Sequence, residues 1–297
     1  MTQTPEILCV GSVLWDVIGR SATHMRAGSD VPGRITRIPG GVAMNIAMAL
    51  SRFGPKSALL SAVGEDAEGH DLVGECERRG LITSFMYRSP DLPTDRYMAI
   101  EGANGLIAAI ADAHSLEAVG DKILRPLADG SLGSAETPYG GLIALDGNLT
   151  AALLEDIAVS PLFSNADLRV APASPGKAER LLPFVRATRG TLYVNLEEAG
   201  LLCQTSFDTS EQAAARLLER GAQRVLVTNG GDACCDGTTE GLISQAPPEV
   251  LVTRVTGAGD TFMAAHIAAE CDGVSRTEAL SRALNAAASY VSGDIAI

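Results

Sequence analysis

Residues Val255–Thr261 read VTGAGDT, and an apolar run (Phe262, Met263, Ala264, Ala265, Ile267, Ala268, Ala269) follows at once. Two glycines ahead of an apolar helical stretch specify a tight turn that opens a buried helix. Gly257 and Gly259 carry no side chain to block close approach, so the N–H groups of Gly257, Ala258, Gly259 and Asp260 are expected to point at one anion. The positive end of the helix strengthens that attraction. A carboxylate in such a turn opposes the attraction unless it has a chemical task. Asp260 is placed to take a proton from a hydroxyl while the turn stabilises charge on a transferring phosphoryl group. The same letters also fit a plain glycine-rich turn with Asp260 as a helix N-cap.

The rest of the chain alternates short apolar runs with longer amphipathic ones. Strands are expected at 7–10, 58–63, 142–145, 168–171, 191–194 and 224–228. Helices are expected at 42–53, 66–79, 151–159, 175–188, 210–219, 260–270 and 276–291. Such alternation implies an α/β fold with a mostly parallel sheet covered by helices on both faces. Residues 97–101 and 106–111 flank a Gly-Ala-Asn-Gly segment and read as a hairpin. With 15–20 and 34–38 they are expected to form a small separate sheet.

At 297 residues and 46% hydrophobic, the chain is long enough for one large α/β domain. A formal charge of −13 argues against nucleic acid or an anionic membrane as partner. The first residues, MTQTPEILCV, do not resemble a signal peptide, and no apolar run reaches membrane-spanning length. The six cysteines show no C-x-x-C spacing, and the adjacent Cys234 and Cys235 suit buried strand residues better than a disulfide framework, so a reduced cytoplasmic protein is expected. The four histidines show no metal-ligand spacing.

Other phosphate-handling motifs are missing. Gly176–Lys177 lacks the upstream glycines of a P-loop, and no strand leads into G-x-G-x-x-G. No G-x-S-x-G elbow occurs. A second glycine motif, IPGGVAMNIA at 38–47, sets Gly40 and Gly41 at the start of a helix with Asn45 on its first turns. Paired glycines expose backbone, and an amide both donates and accepts, which suits a polyol. Asp16 adds a charged acceptor just after the first strand, at the sheet edge where open α/β folds bind ligands. A plain loop-to-helix turn remains the alternative.

Together these motifs resemble the PfkB/ribokinase family of carbohydrate and nucleoside kinases over essentially the whole chain. GSVLWD at 11–16, PGGVAMNIAMALSRFG at 39–54, AVGEDAEGHDLVGECERRG at 62–80, NLEE at 195–198, VTNGG at 227–231 and TGAGDT at 256–261 occur in the family's order. The resemblance implies a single Rossmann-like domain over 1–297, with a β lid formed by excursions near 13–38 and 85–111. It also implies ATP and Mg²⁺ as cofactors, phosphorylation of a primary hydroxyl, and a homodimer joined through the lid.

Carried over by position, Asp260 matches the family's catalytic base and Gly257, Ala258 and Gly259 its anion hole. Asp16, Gly40, Gly41 and Asn45 match residues that hold sugar hydroxyls. Asn195 and Glu198 match an N-x-x-E pair that orders magnesium and its waters, though a helix N-cap with a first-turn acid reads the same way. Thr228 and Gly230 fall on the nucleotide-side loop, and Asn285 where the last helix approaches adenine.

Within the family the chain is most similar to pseudouridine kinases, through PGGV-x-x-NIA, the Asp146-Gly147-Asn148-Leu149 segment and VTGAGD. That makes the 5′ hydroxyl of a nucleoside, pseudouridine first, the expected acceptor, with Asp146 reaching the base and Asn148 a cap. Another sugar or nucleoside, or a non-catalytic binding role, are the alternatives. Met44 departs from a position often basic in that group, and Ala233 from the last glycine of T-x-G-x-x-G. Arg254 stands where many members have an aspartate that helps bind a monovalent cation, which argues against potassium activation.

Overall fold

Strand β1 (Ile7–Val10) is buried at all four positions, with Ile7 and Cys9 packed into one apolar layer and Leu8 and Val10 into another. Side chains alternate across a strand, so burial at both parities means helices on both faces. The computed structural model describes residues 4–26 and 28–294. Strands and helices are numbered along the chain.

The main sheet holds β1, β4 (Ser57–Leu60), β9 (Leu142–Asp146), β10 (Asp167–Ala171), β11 (Thr191–Asn195), β12 (Arg224–Asn229), β13 (Asp232–Thr238) and β14 (Gly241–Gln245). Their order is β14-β13-β12-β11-β10-β9-β1-β4. Pairing is parallel from β4 to β12, and antiparallel for β12 with β13 and β13 with β14.

Helices α1 (Val42–Phe53), α2 (Ala67–Arg78), α8 (Ala258–Cys271) and α9 (Arg276–Ser292) pack on the face of Ile7 and Cys9. The other face is covered by α3 (His114–Val119), α4 (Ala151–Val159), α5 (Leu182–Arg186), α6 (Leu196–Cys203) and α7 (Ser210–Glu219). Helix α8 is buried on every side through its middle, Thr261–Ala269 all lying between neighbours.

A smaller sheet, order β3-β2-β7-β8, joins β2 (Leu14–Arg20), β3 (Arg34–Gly40), β7 (Arg96–Gly102) and β8 (Gly105–Asp112). The β7–β8 hairpin is the one expected around Gly102–Gly105. The small sheet joins the main body where β3 runs into α1, and Trp15 Nε1 of β2 donates to the Glu68 carbonyl of α2 at 3.0 Å.

Two expected elements split. The strand expected at 58–63 ends at Leu60, and β5 (Ala62–Gly64) pairs instead with β6 (Tyr87–Ser89). The chain changes partners at Ser61, whose carbonyl accepts from Tyr87 N. The helix expected at 175–188 is a 3₁₀ segment, Pro175–Leu181, followed by α5. Pro183 has no N–H to donate to the carbonyl four residues back, so the helix restarts there.

These connections bring the C-terminal ends of β1, β9, β11 and β12 to one edge, with the N-termini of α1, α6 and α8 beside them. Open parallel sheets hold ligands at that edge.

Candidate active site

Gly257 is the N-cap of α8 at φ 87°, a left-handed conformation, and no side chain caps the helix. A Cβ there would lie 2.6 Å from Tyr290 Oη, which itself donates to the Thr256 carbonyl at 2.7 Å. Both backbone and packing therefore demand glycine at 257. Gly259 differs: its φ is not positive and a Cβ would enter open space, so a side chain there would meet neither backbone strain nor a clash. What glycine gives at 259 is a bare approach to the turn.

One expected donor is already used. Ala258 N donates to the Val255 carbonyl at 3.0 Å, because the turn closes on itself before the helix begins. Among the described residues the N–H groups of Gly257, Gly259 and Asp260 have no acceptor. Three bare N–H groups at the end of a helix of 14 residues fit an anion such as a nucleotide phosphate.

Asp260 lies in the first turn of α8 and is not its N-cap. Its Oδ2 accepts from Asn45 Nδ2 at 2.9 Å. Burial pushes its carboxyl up to about 7, the Asn45 hydrogen bond opposes this, and the charges of Asp146 and Glu198 add to the rise. A half-buried carboxylate poised near neutrality, held by one amide, has the properties of a general base.

Asn45 is presented by α1, whose N-cap is Gly41 at φ 97°. A Cβ on Gly41 would overlap the Ser12 carbonyl, and one on Gly40 would overlap the Asp16 carboxylate. The two glycines thus let the helix start press against β2 and leave room for Asp16. Burial raises Asp16 to about 6, and none of its contacts is an ion pair. An unpaired, partly buried carboxylate against Gly40, at the start of α1, suits hydroxyl donors on a ligand.

Asp146 does not face that space. It is fully buried, and its oxygens accept from Ser12 N (2.8 Å), Ser12 Oγ (2.5 Å) and Asn148 N (2.7 Å). The expected contact with a base is replaced by a bracing role beneath the site. Ser12 Oγ in turn accepts from Val42 N at 2.9 Å, so Asp146 fixes the start of α1 through Ser12. Asn148 is not a cap either: Thr150 caps α4, while Asn148 Nδ2 donates to Ser12 Oγ and its Oδ1 accepts from Lys177 Nζ at 2.5 Å.

Asn195 and Glu198 form a reciprocal capping box on α6, each side chain accepting from the other's backbone N–H at 2.8 Å. Burial also raises the Glu198 carboxyl, to about 7. Among the described residues no three His, Cys, Asp or Glu side chains gather as a metal cage. One buried carboxylate without a cationic partner, beside an amide, fits a hydrated magnesium ion carried mainly by phosphates.

Thr228 is the β12 residue paired with Asn195, and Gly230 forms the following turn at φ 57°. Asn285 is exposed on α9, its amide donating to the Ser281 carbonyl at 2.8 Å.

Three residues escaped the sequence reading: Gly11, Ser12 and Lys177. Gly11, at φ 147°, has no Cβ because Asp146 occupies that space. A Gly-Ser pair at the end of the first strand was the available signal. Lys177 stood out only as a failed P-loop, yet it brings a half-buried ammonium to Asn148. Burial and the nearby Arg180 charge hold its pKa below the usual lysine range.

The family profile described as pfkB family carbohydrate kinase matches residues 4–294. A pseudouridine kinase of Escherichia coli is 28% identical over 289 residues, covering 94% of this chain and 88% of that one. A ribokinase of Mus musculus is 26% identical over 287 residues, covering 89% and 81%. Among solved structures, Arabidopsis thaliana ribokinase complexed with ribose and ATP superposes with a TM-score of 0.77 at 20% identity, covering 97% of this chain and 93% of that one.

Proposed function

The chain belongs to the pfkB carbohydrate kinase family, a phosphotransferase acting on a sugar or nucleoside hydroxyl, and from that premise we propose that ATP phosphorylates the 5′ hydroxyl of pseudouridine here. One observation carries the chemistry: Asp260, raised to about 7, is hydrogen-bonded to Asn45 at the foot of a turn with bare N–H groups.

In this reading the acceptor's hydroxyls lie against Asp16 and Asn45, and its reacting hydroxyl meets Asp260. Asn45 holds the carboxylate in orientation while Asp260 takes the proton. Gly257 N and Gly259 N stabilise charge on the transferring phosphoryl group, donors fixed before the reaction begins. Thr228 and Gly230 border the nucleotide, with Asn285 toward its adenine. Asn195 and Glu198 would order a magnesium ion with its waters. Magnesium, when bound, supplies charge neutralisation on the phosphates.

The small sheet serves as the lid, and the 1–297 chain as one catalytic domain. The face of β2 that carries Asp16 also carries, by register, Ile38 on β3 and Tyr97 on β7. Those two side chains would flank the base. Pseudouridine has one ring N–H more than uridine, and a site that bonds it rejects the analogue strongly. The similarity to a pseudouridine kinase over 94% of the chain supports the choice of acceptor. No helix among the described residues is long and apolar enough to cross a membrane. A cytoplasmic homodimer that meets only small molecules completes the proposal.

The test is kcat/KM for pseudouridine, uridine, adenosine and ribose under identical Mg-ATP. Pseudouridine should lead. Preference for ribose or adenosine removes the pseudouridine reading and leaves the kinase, and no transfer to any acceptor leaves a binding protein on this fold.

A further inference from the structure

Arg254 lies three residues before the helix cap that opens the anion turn. Its guanidinium stacks on the Tyr290 ring, 3.9 Å from the centroid, and its Nε donates to the Tyr290 carbonyl at 2.7 Å. Thr253 N and Arg254 N both donate to the Val291 carbonyl, at 2.8 and 3.3 Å. These carbonyls belong to the last turn of α9, the negative end of a 17-residue helix. Cations are favoured there.

Tyr290 links the two ends of this arrangement. One side of its ring carries Arg254, and its hydroxyl holds Thr256 and fills the space beside Gly257. Among the described residues Arg254 has no carboxylate partner, and its Nη2 is buried without an acceptor. A buried charged donor left unpaired is costly. This one is held by a helix end, a ring face and the carbonyl of Tyr290, and its spare N–H points to no other group of the protein.

Sequence resemblance associates position 254 with an aspartate that helps bind a monovalent cation. The residues here do not fit such an ion. The carboxylate is replaced by a positive charge, which already holds the Tyr290 carbonyl of α9 and would repel a second cation.

We propose that Arg254 is a built-in cation that fixes the 255–260 turn in its anion-receiving form, so that nucleotide binding needs no monovalent metal ion. This rests on the nucleotide end of the reading above and is independent of the acceptor.

The test is therefore binding without an acceptor. Affinity for a magnesium complex of a non-hydrolysable ATP analogue is measured by calorimetry in potassium, sodium or tetramethylammonium chloride at equal ionic strength. The native protein should bind equally in all three. Arg254→Ala should bind about tenfold more weakly in tetramethylammonium, which corresponds to about 1.4 kcal/mol. Added guanidinium ion should restore that variant, and Arg254→Lys should keep most of the affinity without rescue. Lys also decides the matter if the Ala variant does not fold. Native binding that depends on potassium overturns the proposal, as does an Arg254→Ala variant with unchanged affinity or with a loss that guanidinium does not restore.

Discussion

The two edges of the main sheet use the same residue types to opposite ends. At the C-terminal edge, Asp16, Glu198 and Asp260 lie partly or wholly buried without a cationic partner, and burial raises them to about 6, 7 and 7. At the N-terminal edge, Arg224 is held by Asp236 at 2.7 Å and Glu270 at 2.6 Å, and Arg169 joins Asp167 and Glu270. Arg276 donates to Asp236 as well, and Tyr193 meets His266 at 2.9 Å. Burial pushes Asp236 and Glu270 up too, but the arginines prevail and hold both below the usual carboxylate range. Burial also holds His266 neutral, down to about 4. One edge is electrostatically satisfied and the other is left open. Helix α8 joins them, with Asp260 at one end and Glu270 about 15 Å along it.

The largest effect should come from breaking the satisfied edge. Asp236→Ala leaves Arg224 and Arg276 without their shared carboxylate and should lower stability by about 3–5 kcal/mol. Denaturant unfolding measures this, and turnover of the folded fraction should stay near native. A large turnover loss at native stability would erase the division between the edges.

Asp260→Asn should do the reverse, with turnover down about 10²-fold or more and the fold intact. In the native protein kcat/KM should rise with pH through about 7, as Asp260 loses its proton. The stability slopes sharpen the contrast. Between pH 3.8 and about 7 the folded Asp260 keeps a proton that the unfolded chain has lost, so its contribution falls as pH rises. Asp236, held below its ordinary value, contributes above that value and loses it as pH falls. Melting curves of Asp260→Asn against native protein should converge in acid and separate toward pH 8, with the variant the more stable.

Asp16→Ala and Asn45→Ala should each weaken acceptor binding by about 1–3 kcal/mol while ATP affinity stays near native. The reverse pattern in calorimetry would exchange the two ends of the cleft. Glu198→Gln, the smallest effect, should raise the magnesium needed for half-maximal rate by a few-fold; an unchanged requirement leaves only the capping box to Glu198.

Local patterns carried far in the sequence. Helix α1 falls at the expected 42–53, and α8 and α9 lie within two residues of expectation at each end. The small sheet was legible because Gly102–Gly105 breaks two alternating runs. Helix α6 has only eight residues, too few for an apolar period to stand out, although the N-cap reading of Asn195 and Glu198 pointed to its start. Strands β13 and β14 turn back antiparallel where the βα rhythm stops, so no periodicity announced them, and only the buried-strand reading of Cys234 and Cys235 pointed to β13. The site's errors were of another kind. That Ala258 N is spent on Val255, or that Asp146 turns inward, depends on a closed turn and on the missing Cβ of Gly11. Neither shows in residue spacing. The Arg254–Tyr290 clamp joins positions 36 apart, beyond any local rule.

The bond between Asn45 and Asp260 spans 215 positions, and the apolar layer over Cys9, Met44, Ile46 and Leu50 is completed by α8 and α9. During synthesis, the first helix therefore emerges with its buried side waiting for α8 and α9 to follow. Contacts this remote slow folding and leave sticky intermediates open to aggregation. A nascent chain stalled before residue 258 would carry its acceptor-side residues and no proton acceptor. A truncation that removes α8 and α9 should thus abolish transfer and fill inclusion bodies together.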